Sequence, residues 1–478
     1  MLYSDIYKYS RTKPKFRGSK IKKAAMKTGL YSFDEVTNLI VNENYIPVAT
    51  AAELDALRNA VSQTMGAGTA WEGTYTTGLD KKYVQVGDIN LSSYPSWDML
   101  VFGTNGGYDG NRLLMIGFVG EYLISTNPSF PHRGFFTVGT STSFLKNVVF
   151  SAELPAIGTT VIYSGFCMQN VGIIDNCSVN VNIENTVSSV NPTGGFCATN
   201  EGEIKNSEFT GTVKRNGEVS CFGRNESTGI IDNCHSDATV EGVENVGGFC
   251  SRNRGTITNS SSTGTVIHSG EIGGGFVGTH TDATALIEYC NSSASVQCTR
   301  TTGNAQCGGF VGRPQAGSII RKSYATGNVN SNRPYAGGFC SLTNTDSGVI
   351  ENCYATGDVY ANGTNAGGFT GLVRSNITNC YSTGAVTSSS ATNIGGFAGQ
   401  FTAGAITNCY YDTNTSGRSD TGKGLPRTTP QMQQGTADSF ILPAGGVDGT
   451  SDPANAMYTA WDGTIWKFTP LNAYPTLR

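Results

Sequence analysis

The sequence predicts an all-β protein that folds as a β-solenoid of about ten coils, and three observations carry this prediction. Glycine supplies 62 of the 478 residues and charged residues only 14%, a composition that favours short strands and turns over helices. A phrase typified by "GVIENCYATGDV" at residues 348–359 returns about every thirty residues. A second phrase, "GGFC" or "GGFVG", precedes most copies of the first. Each pair of phrases is therefore expected to form one coil that packs against its neighbours.

The first element is a basic arm, assigned to residues 1–46. Nine of the 32 lysines and arginines fall between Lys8 and Lys27, where Asp5 is the nearest preceding acid. The remainder of the chain is acidic, since the net charge is -4. Such an arm is typical of a segment that docks onto an acidic partner, although a solvated tail has the same composition. The residues assigned to anchoring are Lys8, Arg11, Lys13, Lys15, Arg17, Lys20, Lys22, Lys23 and Lys27.

Residues 47–133 are predicted to cap the first coil. The stretch "TAAELDALRNAVSQTMG" at 50–66 predicts one amphipathic helix that begins with a capping box formed by Thr50 and Glu53. Its apolar face consists of Leu54, Leu57, Val61 and Met65. Residues 83–150 then become strand-like and lead into the first regular coil. A cap is needed because an open terminal coil is an unpaired sheet edge that can recruit another chain.

Residues 134–417 are predicted to form the β-helix, in which equivalent residues stack in columns. The aromatic core column is Phe166, Phe196, Phe249, Phe276, Phe310, Phe339, Phe369 and Phe397. The aliphatic core column is Ile174, Ile204, Ile231, Ile257, Ile287, Ile320, Ile350, Ile377 and Ile406. A column at a tight turn, in which stacked amides can form a ladder, is Asn147, Asn176, Asn206, Asn233, Asn259, Asn352, Asn379 and Asn408. Tyr289 and Lys322 interrupt this last column.

Ten of the 13 cysteines fall in two further columns, and we expect these thiols to be packing residues. One column, after the phenylalanine, is Cys167, Cys197, Cys250 and Cys340; the other, after the asparagine, is Cys177, Cys234, Cys290, Cys353, Cys380 and Cys409. Other coils place serine, threonine, valine or alanine at these positions. Valine and alanine cannot replace a metal ligand or a disulfide partner. Cys221, Cys298 and Cys307 lie outside both columns.

Residues 418–478 are predicted to close the other end. The stretch "DGTIWKFTPLNAYPTL" at 462–477 is expected to bring Trp466, Phe468 and Tyr474 over the last coil. These large apolar rings would cover the edge that the final coil leaves open.

The combined pattern "GGFvG...G.ItNCYaTG.V", with an opening "DINLS" and a closing "W...YP.L", resembles the GLUG-motif proteins over most of residues 45–478. The resemblance implies a right-handed parallel β-helix, and this handedness agrees with the rule for parallel crossovers. It also implies a place among extracellular adhesins, large bacterial surface proteins and phage tail proteins. The chain departs from that pattern in its basic arm, residues 1–29, and in lacking a secretory signal pattern. We therefore expect it to stay inside the cell or to leave by another route, such as lysis.

Catalysis on a β-helix needs paired carboxylates or a basic residue in a groove outside the coils. The candidate acids are Glu201, Glu203, Glu226, Asp346 and Glu351, and none recurs with a partner at an informative spacing. The four histidines, His132, His235, His268 and His280, show no metal-binding spacing. The phrase "GGFVG" lacks the lysine of a phosphate-binding loop. We therefore expect no enzymatic activity, no cofactor and no metal site.

The preferred candidate site is an aromatic stripe on the outer surface. Its members, Tyr324, Tyr354, Tyr381 and Tyr410, follow the cysteine column in four successive coils, and strand alternation directs them outward. Such a stripe can bind sugar rings or another subunit, but tyrosine also suits a half-exposed strand without any ligand. The second candidate surface is the turn between the two phrases, which is longest at 279–286, 313–318 and 342–348.

These features favour a non-enzymatic structural and receptor-binding protein of a phage tail or a similar particle. The arm would dock onto other virion or surface-assembly proteins, and the β-helix would reach a glycan or a protein of the host surface. One alternative is a bacterial surface adhesin, and another, different in class, is a glycan-cleaving tailspike. No run of eighteen apolar residues occurs, so no membrane span is expected. Nucleic acid is not an expected partner, and a homotrimer is expected only by analogy with phage β-helices.

Overall fold

The computed structural model describes residues 30–59, 79–97, 99–119, 121–122, 132–155, 162–315, 317–344, 348–389, 392–433, 458, 461–468 and 473–478. Over these ranges the chain forms a β-solenoid of about 10 turns. The helices in the described ranges are α1 (Phe33–Val41), α2 (Ala51–Asn59), α3 (Thr413–Ser416) and α4 (Thr429–Met432). The prediction of an all-β solenoid is confirmed, and its right-handedness stays a prediction.

Three parallel sheets run along the solenoid because successive coils add strands to each of them. The first sheet contains Ile46–Val48, Lys82–Gln85, Gly107–Asp109, Phe144–Lys146, Ile173–Asp175, Glu203–Lys205, Ile230–Asp232, Thr256–Thr258, Leu286–Glu288, Ile319–Arg321, Ile350–Glu351, Ile377–Thr378 and Ile406–Thr407. The second sheet contains Leu100–Phe102, Phe136–Val138, Cys167–Asn170, Cys197–Asn200, Arg224–Asn225, Cys250–Asn253, Val277–His280, Val311–Pro314, Cys340–Leu342, Thr370–Val373 and Ala398–Phe401.

The third sheet is wider because most coils give it two or three strands. Its early strands are Ile89–Asn90, Leu114–Val119, His132–Arg133, Val149–Leu154, Ile162–Ser164, Ser178–Gly194, Glu208–Ser220, His235–Gly242, Val246–Gly247, Ser261–His268 and Ile272–Gly274. Its later strands are Asn291–Ser292, Ser295–Cys298, Gln306–Gly308, Tyr324–Ala325, Val329–Ser331, Ala336–Gly337, Tyr354–Ala355, Val359–Ala361, Asn365–Gly367, Tyr381–Ser382, Val386–Thr387, Asn393–Gly395, Tyr410–Asp412 and Leu425–Arg427. Two small strand pairs join Ser96–Trp97 to Glu121–Tyr122 and Trp466–Lys467 to Thr476–Leu477.

Both predicted core columns are present. Isoleucines of successive coils are paired in register, as Ile174 is with Ile204, and all but Ile406 are buried. From Phe166 to Phe397 the phenylalanine rings stack with centroids 4.4 to 5.3 Å apart. Phe222 occupies this column as well, but its phrase "SCFG" lacks the paired glycine and the pattern misses it.

The paired glycine allows neighbouring coils to approach closely. A side chain at Gly275 would place its Cβ 2.2 Å from the carbonyl oxygen of Gly309 in the next coil. A contact this short cannot be relieved by moving a side chain, because the opposing atom belongs to the backbone. The glycine is therefore needed for coil spacing rather than for flexibility.

The asparagine column has a conformational cause. All eight of its members have φ between 50° and 57°, in the left-handed region that asparagine tolerates better than most residues. Tyr289 and Lys322 adopt the same conformation, with φ of 55° and 50°, so the turn continues through them. The predicted ladder is only partial. Asn176 donates to Asn147 Oδ1 at 2.7 Å, whereas other members donate to an aspartate of the neighbouring coil.

The helix predicted at the N-terminal end is confirmed as α2 over its described part. Thr50 and Glu53 form the expected capping box, with the Glu53 backbone N–H donating to Thr50 Oγ1 at 3.2 Å and the Thr50 N–H donating to Glu53 Oε2 at 3.1 Å. Leu54 is buried and Leu57 packs against the core. Val61 and Met65 lie outside the described residues.

The described part of the predicted arm, residues 30–46, belongs to this cap. It contains α1, and the Tyr31 hydroxyl donates to Asp109 Oδ2 at 2.9 Å. Asp109 is fully buried in the first sheet, and its charge is balanced by Lys146, whose Nζ lies 3.2 Å away. A buried carboxylate needs such partners, so this network fixes α1 on the first coils. Any free arm is correspondingly shorter than residues 1–46.

The third-sheet side of the last coil is covered by the segment that immediately follows it. The Tyr411 ring packs on Gly396, and the Tyr411 hydroxyl donates to the carbonyl oxygen of Asp420 at 2.6 Å. Lys423 Nζ donates to the carbonyl oxygen of Gly399 at 2.9 Å, across the final glycine phrase. Strand Leu425–Arg427 then pairs with Tyr410–Asp412 and extends the third sheet. The following segment therefore covers the third-sheet side of the last coil, whereas Ile406–Thr407 and Ala398–Phe401 are edge strands of the first and second sheets among the described residues.

Candidate functional site

The four tyrosines of the predicted stripe do form one column in the third sheet. Tyr324 and Tyr354 stack with parallel rings 4.7 Å apart, and Tyr354 and Tyr381 stack at 5.0 Å. Tyr410 is in register with Tyr381 in the next coil. Tyr324 is half-buried, whereas Tyr354, Tyr381 and Tyr410 are 7%, 1% and 4% exposed.

The C-terminal segment, described at residues 458, 461–468 and 473–478, covers three of these rings. Trp466 packs against Tyr354 and Tyr381 with centroids about 6 Å away, and its indole Nε1 donates to Asn352 Oδ1 at 3.1 Å. Trp461 contacts Tyr381 and Tyr410 in the same way. The Tyr381 hydroxyl donates to the carbonyl oxygen of Pro475 at 2.7 Å. Tyr458 and Phe468 complete this second hydrophobic core.

The prediction that the stripe is exposed is therefore wrong for Tyr354, Tyr381 and Tyr410. Strand alternation correctly directs these rings away from the solenoid core, but a later part of the chain folds back over them. The prediction that Trp466, Phe468 and Tyr474 cover the last coil is wrong for Trp466, which packs on Tyr354 and Tyr381 of the two preceding coils; Tyr474 does reach the last coil, where its hydroxyl donates to Asp412 Oδ2 at 2.6 Å. Earlier coils carry polar residues at the equivalent positions: Ser178, Glu208, His235, Ser261 and Asn291. Tyrosine appears only where the column approaches the C-terminal segment.

The outer face of the first sheet carries exposed side chains along the described coils. One of its columns is rich in aliphatic residues, Ile173, Ile230, Leu286, Ile319 and Val349, which we call the aliphatic stripe; Glu203 and Thr256 interrupt it on either side of Ile230. Ile173, Ile230 and Val349 expose 39%, 44% and 41% of their surface. Single exposed aliphatic residues are common, but Leu286, Ile319 and Val349 lie in three successive coils and form a larger apolar surface. This face is a better candidate for a contact with a partner than the tyrosine column.

A charge ladder runs beside the aliphatic stripe, on the same face. Its members in successive coils are Lys146, Asp175, Lys205, Asp232, Thr258, Glu288, Arg321 and Glu351. The sign of the charge alternates almost throughout, and directly opposed opposite charges stabilise neighbouring strands. Although burial raises the pKa of Glu288, the hydrogen bond from Lys322 and the charge of Arg321 lower it overall. The charge ladder therefore carries many charged groups, but its net charge is close to zero.

Two other predicted sites lie wholly or partly outside the described residues. All nine basic residues assigned to the arm, from Lys8 to Lys27, are outside, and the anchoring role stays a prediction. Of the long turns, 279–286 is described in full and forms an ion contact, with Arg254 Nε 3.9 Å from an Asp282 oxygen. Residues 316 and 345–347 of the other two turns are outside.

Comparison with known proteins identifies the repeat. The family model of the GLUG motif matches residues 242–267 and 332–360, and each match covers a glycine phrase, a turn and an isoleucine phrase of the solenoid. The chain carries GLUG repeats on a β-helix. A 71-residue stretch is 41% identical to a protein of Evansella cellulosilytica whose name describes it as a Gly-rich membrane protein. That match covers 13% of this chain and 8% of the relative.

The GLUG repeats contain a buried amide ladder that the sequence analysis did not find. Each asparagine in the series Asn170, Asn200, Asn225 and Asn253 donates from Nδ2 to the next, at 2.7 Å. Asn253 Nδ2 is 3.1 Å from Nδ1 of His280, and His280 Nε2 is 3.1 Å from the carbonyl oxygen of Ile319. The last imidazole therefore accepts from the ladder and donates to the backbone, which requires its neutral form.

Burial lowers the pKa of His280 to about 4, below the usual value near 6.5. The unfolded chain therefore gains a proton at a higher pH than the folded chain does. We expect the free energy of unfolding to keep its full value above pH 6.5. As the pH drops from 6.5 towards 4, it should fall by up to about 1.4 kcal/mol per pH unit. His280→Asn should preserve the acceptor and flatten this dependence, as measured by urea denaturation at pH 7.5, 5.5 and 4.5. An unchanged slope in the variant would show that His280 is not responsible.

The acids considered for catalysis are mostly paired with neighbours in the GLUG repeats. Glu203 forms an ion pair with Lys205 at 2.8 Å, and Glu226 forms one with Arg254 at 3.2 Å. Glu201 accepts from the amide of Gln169 at 2.7 Å. Glu351 is half-buried in the charge ladder, and Asp346 lies outside the described residues. The described acids therefore make the contacts that are typical of residues on the surface of a solenoid.

All 13 cysteines are buried and unbridged, and the two predicted columns lie in the core. Burial raises the pKa of the column thiols, as it does for Cys177, Cys234 and Cys250. A thiol with a raised pKa is a poor nucleophile, which agrees with a packing role. Cys298 and Cys307 are different, since they lie with His268 in one cluster. No spacing in the sequence predicts that cluster, because stacking of coils brings its members together.

Proposed function

We propose that this chain is a non-enzymatic structural protein of a phage tail or similar particle, in which the GLUG β-helix displays an attachment face for the host surface. The observation that carries the proposal is the arrangement of covered and open surfaces. The chain covers the first coils and the third-sheet side of the last coil, while side chains of the first sheet such as Ile173, Ile230 and Val349 are exposed in the described structure. About ten coils at 4.8 Å each make a rod on the order of 50 Å long. A rod with exposed side chains along one face is suited to lateral contacts with a partner.

The anchor in this proposal is the basic arm, and the contact surface is the first sheet. The aliphatic stripe and the charge ladder place apolar and charged groups side by side, the combination that protein surfaces use to bind specific partners. We therefore place the host contact on this face rather than on the tyrosine column. A glycan or a protein remains the proposed ligand class at the host surface.

A bacterial surface adhesin is the second candidate, and the Evansella relative favours it. The name of that relative describes a membrane protein, although the shared stretch is a small part of each chain. Within the described residues, no helix combines the length and apolar character that a membrane crossing requires. An adhesin would therefore use the same face while being held at the cell surface by a different attachment.

The location of the native chain separates the two candidates. Native material should be fractionated by size, and each fraction examined by mass spectrometry for this chain and its N-terminal peptide. Co-sedimentation with a large particle, with the basic arm intact, is the result that the particle proposal requires. Recovery of the chain from cell envelopes with a trimmed N-terminus would contradict the particle proposal and support the adhesin.

Changes to the aliphatic stripe should weaken attachment without unfolding the chain. We expect the double change Ile230→Asp and Val349→Asp to reduce binding of the purified chain to host cells about tenfold or more, because apolar contact is replaced by buried charge. The matched control, Thr239→Asp with Asn330→Asp, adds the same charges at exposed positions of the third sheet. Binding can be measured by cell pull-down with labelled chain. Equal binding by both double variants would exclude this face.

A further inference from the structure

His268, Cys298 and Cys307 form a compact cluster at one corner of the third sheet. The ligand atoms of all three lie within 4.8 Å of one another, and His268 Nε2 is 3.2 Å from Cys307 Sγ. The three side chains are 0%, 1% and 0% exposed. None of the three belongs to the cysteine columns of the solenoid core, so the packing explanation for those columns does not extend to this cluster.

Stacking explains how residues thirty or more positions apart meet here. The first of two columns at this corner runs Gly242, His268, Cys298, Ser331 and Ala361 through successive coils. The second column runs Gly273, Cys307, Ala336 and Ala366. The coils next to the cluster thus place small residues in both columns, while Val246 and Ile394 occupy the second column further along. Within these registers, histidine and cysteine occur only where His268 lies under Cys298 and beside Cys307.

The coil below is adapted to hold the imidazole. Gly273 has no side chain, and a Cβ at that position would lie 2.2 Å from Cδ2 of His268. The other ring nitrogen, Nδ1, is buried and has no hydrogen-bond partner among the described residues. The polar interactions of the imidazole in the described structure are therefore with the thiols of Cys307 and Cys298. Burying an imidazole with so little hydrogen bonding is costly unless a ligand compensates.

We propose that His268, Cys298 and Cys307 bind one thiophilic divalent cation, for which zinc is the natural probe. Two thiolates and an imidazole are a donor set that zinc prefers, and a water or the nearby Ser331 hydroxyl can supply the fourth ligand. Ser331 Oγ lies 3.2 Å from Cys307 Sγ. A tetrahedral zinc ion separates a thiolate from an imidazole nitrogen by about 3.6 Å and two thiolates by about 3.8 Å, so the ligands need to move by less than about 1 Å.

The bound ion would tie two coils and a surface loop together. Cys298 and Cys307 begin and end the connection that contains exposed Thr301 and Thr302, while His268 belongs to the coil below. The loop is the path by which the ion reaches the buried ligands, since the ligands themselves are covered. Binding replaces the thiol protons with the metal ion, and those protons are released to solvent.

The experiment uses the full chain, purified with a reductant and freed of metal by a chelator. Native mass spectrometry after addition of zinc alone should show one tightly held ion per chain. Cobalt should give the thiolate-to-metal absorption expected of a site with cysteine ligands. Cys298→Ser and Cys307→Ala should each abolish stoichiometric binding, and alanine already follows Cys307 in its column, which favours correct folding of that variant.

Cys234→Ser is the matched control, because serine occupies the equivalent position of that column in neighbouring coils, at Ser207 and Ser260. It should keep the ion, and circular dichroism should show all the variants folded. Retention of zinc by folded Cys298→Ser and Cys307→Ala, or failure of the wild-type chain to bind it, would overturn the proposal. So would a Cys298–Cys307 disulfide that survives the reductant and excludes the ion. None of these three outcomes depends on host attachment, so this test is independent of the proposed function.

Discussion

Replacing Phe276 by alanine is expected to lower the free energy of unfolding by about 3–5 kcal/mol. The ring is fully buried and stacks between Phe249 and Phe310, with centroids 4.6 and 4.9 Å away. The hydrogen-bonded strands hold the coils at a fixed spacing, and neighbouring rings cannot close the gap. The cavity therefore persists and its cost adds to the lost burial of the ring. Urea denaturation followed by circular dichroism measures the change.

Phe401→Ala is the matched control, because it removes the same atoms from a ring that is 40% exposed in the second sheet. A surface position of this kind should change the free energy of unfolding by no more than about 0.5 kcal/mol. Similar losses at Phe276 and Phe401 would contradict the view that the stacked phenylalanine column is a main source of stability.

Trp466→Ala is expected to release the C-terminal segment while the coils remain folded. Trp466 is fully buried, packs 4.3 Å from Trp461 and bonds to Asn352. Truncating a buried tryptophan costs about 3–5 kcal/mol. A short segment that is held by one cluster has little further stability with which to absorb that loss. Limited proteolysis with mass spectrometry should show rapid cleavage within residues 461–468 and 473–478, and protected coils.

Lys467→Ala provides the control, since this neighbouring side chain is exposed on the opposite face of the same strand. The C-terminal segment of the Lys467→Ala variant should resist proteolysis as well as that of the wild-type chain does. Protection of the segment in Trp466→Ala would mean that other contacts hold it, such as the bond from Tyr381 to Pro475. The released form would also show whether the uncovered tyrosine column has any affinity for glycans.

The columns of the solenoid could be predicted because each is repeated many times in the sequence. A single isoleucine such as Ile231 says little, but eight equivalents at the same place in the phrase identify a buried position. The amide ladder from Asn170 to His280 is harder to recognise in the sequence. The phrase at Phe222 is one residue shorter, so Asn225 falls out of alignment, and the ladder ends in a histidine.

Contacts between distant segments could not be predicted in this way. Alternation along the strand correctly predicts that the Tyr381 ring points away from the solenoid core. It contains no information about which part of the chain then covers the ring. The covering residue Trp466 is separated from it by the whole last coil and the C-terminal region. In the same way, the approach of His268 to Cys307 follows from the stacking register of two coils, which no local spacing encodes.

The tyrosine column also bears on how such a chain can change in length over evolution. Coils are interchangeable in their core residues, so duplicating or deleting one in the early part of the stack would leave every remaining coil with suitable neighbours. The last coils are not interchangeable. Trp461, Trp466 and Pro475 contact particular members of the column, and inserting a coil there would move Tyr410 away from Tyr381 by one step of the stack. Gains and losses of repeats are therefore expected among related chains on the N-terminal side of Tyr324, and a constant number of coils beyond it.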